Sequence, residues 1–194
     1  MQIYFTHSYN NEKDESHLHL TEAAALHLAY GSEFSSPVSL DEYSGSADPE
    51  YRCMAEDLVR TMVRGAQGKP YIPGFACFSI SHSCGSWAVL FSEEECGLDI
   101  QYPRKADYDG IARRFYHPRD AACVKEHPES FFRLWTRREA LIKAAGVSVA
   151  DTDLPAVLDD RVFYRNREYL ISEVLIPGAP ELYASACFAG NERG

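Results

Sequence analysis

The sequence predicts an α+β protein of two similar lobes. Three observations carry that expectation. Helix-type patterns give way to strand-type alternation before residue 101, and the same order returns after it. No repeat of 20–50 residues and no low-complexity linker separates the halves. A chain of 194 residues buries roughly 70% of the surface its unfolded form exposes, enough for one large core or two packed halves.

The elements follow in order. Ile3 to Phe5 reads as a short first strand. Residues 20–30 are rich in Ala and Leu and predict a helix, with Gly31 placed as a C-terminal glycine cap. Residues 32–48, rich in Ser, Pro, Gly and Asp, read as loop. A helix over about 49–64 begins with Pro49 in its first turn and turns Leu58 and Met62 inward. After Gly68-Lys69-Pro70, Phe78, Ile80 and His82 alternate with Ser79, Ser81 and Ser83, a period of two. Cys84-Gly85-Ser86 supplies a turn, Trp87 to Phe91 a dense apolar strand, and Glu93 to Glu95 an exposed return to Gly97–Gln101. These three segments predict an antiparallel meander. Tyr108–Tyr116 and Ser130–Ala145 then read as helices, the second stopped by Gly146, and strands follow near 162–164, 168–176 and 182–188.

With 19 Lys+Arg against 29 Asp+Glu the formal charge is −10, while 45% of residues are hydrophobic and 12% aromatic. That composition excludes a disordered tail, a collagen-like repeat and a strongly basic nucleic-acid binder, and it disfavours anionic membranes. A local basic pocket remains compatible with it. The six cysteines form no Cys-x-x-Cys pair and lie in apolar stretches, so they read as reduced, mostly buried thiols of a cytoplasmic protein. Met1–His7 has no secretory pattern. Residues 70–92 lack Asp, Glu, Lys and Arg, yet their prolines, glycines and serines predict buried strands rather than a membrane span.

Several residues suit phosphate and metal chemistry, and each also fits a plainer role. Asp99 and Gln101 lie two apart on one strand face and offer oxygens suited to Mg²⁺; a solvated polar face has the same pattern. On the helix after Ser130, Leu134, Leu141, Phe131, Ile142 and Trp135 share an arc, with Glu139 and Lys143 at its border. That pair fits either a carboxylate beside the core or an ordinary i,i+4 ion pair. His82, flanked by Ser81 and Ser83, is placed to donate to a phosphate or to sit satisfied in the core. Lys69, before a rigid proline, is a held cation or a loop lysine. Walker, dinucleotide-binding and Gly-x-Ser-x-Gly motifs are absent, and the histidines lack zinc-ligand spacing.

In order along the chain, Gly68-Lys69-Pro70, Ile80-Ser-His-Ser83, Gly97-Leu-Asp-Ile-Gln101 and Trp135-Thr-Arg-Arg-Glu-Ala-Leu-Ile-Lys-Ala-Ala-Gly146 form a set. This set resembles the 4′-phosphopantetheinyl transferase superfamily, in its two-lobed, surfactin-synthetase-activating type. The resemblance implies a pseudo-twofold pair of lobes, residues 1–98 on the coenzyme A side and 99–194, with the active site between them. It further implies a monomeric enzyme that moves phosphopantetheine from coenzyme A to a serine of an acyl or peptidyl carrier protein, releasing adenosine 3′,5′-bisphosphate.

By motif match, Asp99, Gln101 and Glu139 would hold Mg²⁺ or Mn²⁺, and Lys143 would meet the pyrophosphate. His82 with Ser81 would take the 3′-phosphate end, and Lys69 the adenosine end. Glu139, or else Asp120, would receive the serine's proton. Gln101 stands where the family usually has Glu, which removes one negative charge and implies weaker metal binding. The arginine-rich stretch Arg113, Arg114, Arg119, Lys125, Arg133, Arg137 and Arg138 is the candidate docking surface for an acidic carrier; a solvated helix face fits it equally. The first 67 residues match less well, with Arg52, Arg60 and Arg64 as substitutes for a missing basic strip. A homologue that binds coenzyme A or a carrier without catalysis is the competing expectation, followed by a different Mg²⁺-dependent nucleotide enzyme.

Overall fold

The computed structural model describes residues 1–192 except 11, 12, 14, 32, 66 and 152. Strand β1 (Gln2–Thr6) precedes helix α1 (Ser16–Tyr30), whose Leu20, Ala23, Ala24, Ala25 and Leu26 are buried. Helix α1 starts four residues before the expected position. Gly31 is right-handed at φ −55° and donates its N–H to His27 O, so it prolongs the last turn instead of reversing it. Next come β2 (Val38–Ser39), α2 (Leu40–Tyr43) and α3 (Pro49–Arg60). Asp48 caps α3 by accepting the Glu50 N–H, with Pro49 in the first turn. This helix stops at Arg60, short of the expected 64, because β3 (Val63–Arg64) turns back to pair with β4 (Pro70–Tyr71).

Strands β5 (Cys77–Ser83) and β6 (Ser86–Ser92) form a hairpin whose two turn residues, Cys84 and Gly85, have φ of 46° and 84°. The positive φ matches the right-handed twist of the paired strands. The expected meander ends there. Strand β7 (Cys96–Gln101) does not join β6, whose two edges are already taken by β1 and β5; it pairs instead with a strand near the end of the chain. The expected division between residues 98 and 99 falls inside β7.

Helices α4 (Tyr108–Phe115), α5 (Pro118–Glu126) and α6 (Phe131–Ala145) follow, then β8 (Arg161–Tyr164), β9 (Arg167–Glu173) and β10 (Tyr183–Glu192). Helix α5, opened by His117 and Pro118, lies where no element was expected. Helix α6 ends as expected at Gly146, left-handed at φ 63°.

The result is mixed α+β. One sheet has the order β2-β1-β6-β5, antiparallel except for the two-residue parallel pairing of β1 with β2; the other, β7-β10-β9-β8, is antiparallel throughout. Tyr4, Trp87, Val89 and Phe91 face α1 and α3 from the first sheet, whereas Ile3, Phe5, Ala88 and Leu90 face Leu98, Ile100, Ala184 and Ala186 of the second. Strand β6 is thus covered on both sides, which accounts for its unbroken apolar run. A third cluster packs α6 against the second sheet.

The edges of the two sheets also meet. Ser79, Ser81 and Ser83 of β5 accept the backbone N–H groups of Leu98 (2.9 Å), Ile100 (3.1 Å) and Tyr102 (3.0 Å). The serine face of β5 is therefore the buried one, while His82 on the other face is exposed.

All six cysteines are free thiols. The expectation that most are buried fails: only Cys96 and Cys187 are, whereas Cys53 and Cys84 are exposed. Among the described residues no helix is long and apolar enough to cross a membrane.

Candidate active site

The seam where β7 lies along α6 gathers the charged residues. At Gly97 the two backbones approach so closely that an added Cβ would overlap the Ala140 carbonyl oxygen. The strand's period of two then turns Gly97, Asp99 and Gln101 to one face, while Leu98 and Ile100 enter the core between the sheets. On α6, Glu139 and Lys143 are one turn apart.

Lys143 Nζ donates to Asp99 Oδ1 (2.8 Å) and to the carbonyl oxygens of Leu98 (2.8 Å) and Ile80 (3.4 Å). Ser81 donates its hydroxyl proton to the same Oδ1 at 2.9 Å. Burial and the neighbouring Asp99 carboxylate push Glu139 above the usual carboxylate range, with Lys143 and Arg138 opposing. Two carboxylates thus share one small region with a single ammonium between the elements. Gln101 Nε2 donates to Ser83 Oγ (3.1 Å) and Tyr102 O (2.9 Å), which commits the amide nitrogen and leaves the carbonyl oxygen as its acceptor. Gln101 also borders a small groove with Ile111, Phe131, Phe132 and Trp135.

Lys69 Nζ reaches across to Cys96 O at 2.8 Å. With Lys143, Ser79, Ile80 and Gly146 it lines a cleft of about 220 Å³. Two ammonium groups therefore face one hollow beside the carboxylates. His82 is not among the residues that line this cleft; it is exposed on the other face of β5, its ring 5.2 Å from that of Tyr9. Ser81 is 6% exposed, with its hydroxyl engaged on Ile100 and Asp99. Asp120 is 1% exposed and both its oxygens accept the Val157 N–H; burial raises its pKa. The structure joins Asp99, Lys143 and Ser81 by hydrogen bonds and sets Asp120 apart on its own backbone partner.

The basic stretch does not form one surface. Arg137 and Arg138 are buried, at 1% and 4% exposure. Arg137 donates to the carbonyls of Val157 (2.6 Å) and Asp159 (2.8 Å) and pairs with Asp160 and Glu173, so it anchors a loop. Arg138 donates to Val149 O and pairs with Glu139. Arg113, Arg119 and Arg133 each have an acidic partner.

Gly97, Ser79 and Ser83 carried no role in the expectations, yet they fasten β7 to α6 and β5. The signal for the serines was their spacing at i, i+2 and i+4, a polar face that alternation alone reads equally well as solvent-facing.

Fold and seam together define an α+β chain with paired carboxylates and lysines at the meeting of two sheets, a layout suited to a phosphate-bearing ligand. Residues 95–170 match the model of the 4′-phosphopantetheinyl transferase superfamily, in agreement with the resemblance read from the motifs. That stretch contains Asp99, Gln101, Glu139 and Lys143.

Relatives carry the same description. The 4′-phosphopantetheinyl transferase AcpT of Salmonella typhimurium is 37% identical over 111 residues, which is 50% of this chain and 58% of that protein. The 4′-phosphopantetheinyl transferase of Bacillus subtilis is 38% identical over 87 residues, 41% of this chain and 38% of that protein. The 4′-phosphopantetheinyl transferase gsp of Aneurinibacillus migulanus is 35% identical over 85 residues, 41% of this chain and 35% of that protein. The chain thus spans little more than half the length of the first of these relatives and less of the others.

Proposed function

We propose that the protein transfers 4′-phosphopantetheine from coenzyme A to a serine hydroxyl of an acyl or peptidyl carrier protein, releasing adenosine 3′,5′-bisphosphate. The observation that carries this reading is the β7–α6 seam, where Asp99, Glu139 and Lys143 converge inside the stretch that matches the superfamily. In this reading the chain is a cytoplasmic monomer. Its two halves are pseudo-twofold lobes with the site between them, divided ahead of β7 and not at the expected 98/99, which would cut that strand.

Among the described residues no three His, Cys, Asp or Glu side chains gather as a metal set. The donors at the seam are instead two carboxylates and an amide, all-oxygen and suited to Mg²⁺ or Mn²⁺. Burial, and after it the Asp99 carboxylate, raise the pKa of Glu139, and a cation there would offset both, which supports the fit. Asp99, Glu139 and the Gln101 carbonyl oxygen would hold it. When bound, a divalent cation there neutralises charge on the diphosphate.

The chain's own residues supply the rest. Lys69 and Lys143 line the cleft that would receive the coenzyme A phosphates, and the exposed His82 would meet the 3′-phosphate end. Glu139, held at the border of an apolar helix face, would take the proton from the attacking serine hydroxyl, whose oxygen forms the new bond to the β-phosphorus as the bond to the departing adenosine 3′,5′-bisphosphate breaks. Asp120 is the poorer candidate, because it is buried and both its oxygens accept the Val157 N–H. Catalysis then rests on positioning and charge neutralisation.

Incubation with coenzyme A, Mg²⁺ and several apo carrier proteins, followed by mass spectrometry, tests the proposal. Addition of one phosphopantetheine to a carrier is the expected result. No addition to any carrier while coenzyme A still binds would replace it with a binding role.

A further inference from the structure

We propose that Ser81 is a positioning residue of the cation site, acting through Asp99 and not by touching coenzyme A. The inference rests on the transferase reading for what the site receives. Its own support is geometric. Adjacent residues on a strand point to opposite faces, so Ser81 and His82 cannot both turn toward one phosphate. His82 is exposed, whereas Ser81 is buried against β7.

A serine hydroxyl has one proton to give. Ser81 accepts the Ile100 N–H at 3.1 Å and commits that proton to Asp99 Oδ1 at 2.9 Å. Lys143 fills the same oxygen from the other side at 2.8 Å. Every described hydrogen-bond partner of the carboxylate takes Oδ1, which fixes its rotation and leaves Oδ2 for a cation. Two residues on, Ser83 accepts from Tyr102 N and from Gln101 Nε2 and so steers the neighbouring amide. Ser79 makes the same backbone bond, to Leu98 N, and no bond to Asp99. It is therefore an internal control for the loss of a rung without loss of ligand orientation.

The test compares the full-length protein with Ser81→Ala, Ser81→Thr and Ser79→Ala. Mn²⁺ is titrated with the free-ion paramagnetic resonance signal as readout, and coenzyme A affinity is measured separately in EDTA. Loss of a hydrogen bond to a charged group predicts Mn²⁺ binding weaker by about tenfold or more in Ser81→Ala. Coenzyme A affinity stays unchanged in that variant, Ser81→Thr restores Mn²⁺ binding, and Ser79→Ala retains it. The proposal is overturned if Ser81→Ala loses coenzyme A affinity in EDTA, keeps normal Mn²⁺ affinity, or behaves as Ser79→Ala does. A wild-type protein that binds neither Mn²⁺ nor coenzyme A would instead sink the transferase reading, and this inference with it.

Discussion

Lys143 holds two places at once. Its ammonium lies between Asp99 and the carbonyls of β5 and β7, an internal counter-charge for the carboxylate pair. Lys143→Met should therefore lower stability by about 1–3 kcal/mol in metal-free buffer, and added Mg²⁺ should raise its melting temperature more than that of the wild type. Equal responses of the two proteins in a thermal-shift assay would contradict this. Glu139→Gln keeps the shape of the site but removes the proposed base, so turnover should fall by about 10²–10⁴-fold at saturating Mg²⁺. Near-normal turnover would remove Glu139 from that role. His27 gives the first half a pH dependence of its own. Its ring stacks on Phe91 at 4.8 Å, and burial holds its pKa below the usual histidine value. The unfolded chain therefore binds the proton more readily, and the stability contributed by neutral His27 is lost as pH falls from about 6.5 through the depressed folded value. Melting temperatures of His27→Phe between pH 7 and 5 should fall less steeply than those of the wild type.

At the scale of elements, Gly97 decides where the site is. Its missing side chain lets β7 rest on the backbone of α6, and this contact sets Asp99 against Lys143. Gly97→Ala should cost about 1–3 kcal/mol, as overpacking does, and weaken Mn²⁺ binding as the strand and helix separate. Denaturant midpoints and metal titration together check it. Much at this scale was legible in the residues. Pro49, the alanine-rich stretch of α1 and Gly146 mark real helix features, and the turn at Cys84-Gly85 closes a real hairpin. The destination of β7 was not legible, because strand pairing is chosen by what the distant β1 and β10 leave open, and local alternation is the same in either sheet. Helix α5 was missed for a different reason: its proline start and polar residues resemble a loop until Asp120 and Val124 are seen buried.

For the whole molecule, the charge of −10 hides a surface in which most arginines of the 113–138 stretch are already engaged. Linear clustering in the sequence could not reveal this, since the acidic partners of Arg119, Arg133 and Arg137 come from residues 159, 160 and 173. Exposed Arg114 and Lys125 remain. If the proposed transfer to an acidic carrier holds, its docking should depend only weakly on ionic strength, and charge reversal at Arg114 should matter more than at Arg113. Steady-state transfer rates across a salt series would show whether this holds. The serine ladder has a further consequence for the molecule in a crowded solution. Each hydroxyl occupies an outward N–H of β7 that a foreign strand would otherwise use, so the seam leaves no open template for chain-to-chain pairing there. Replacing all three serines with alanine should yield a protein prone to aggregation through that edge, detectable by light scattering before any loss of secondary structure.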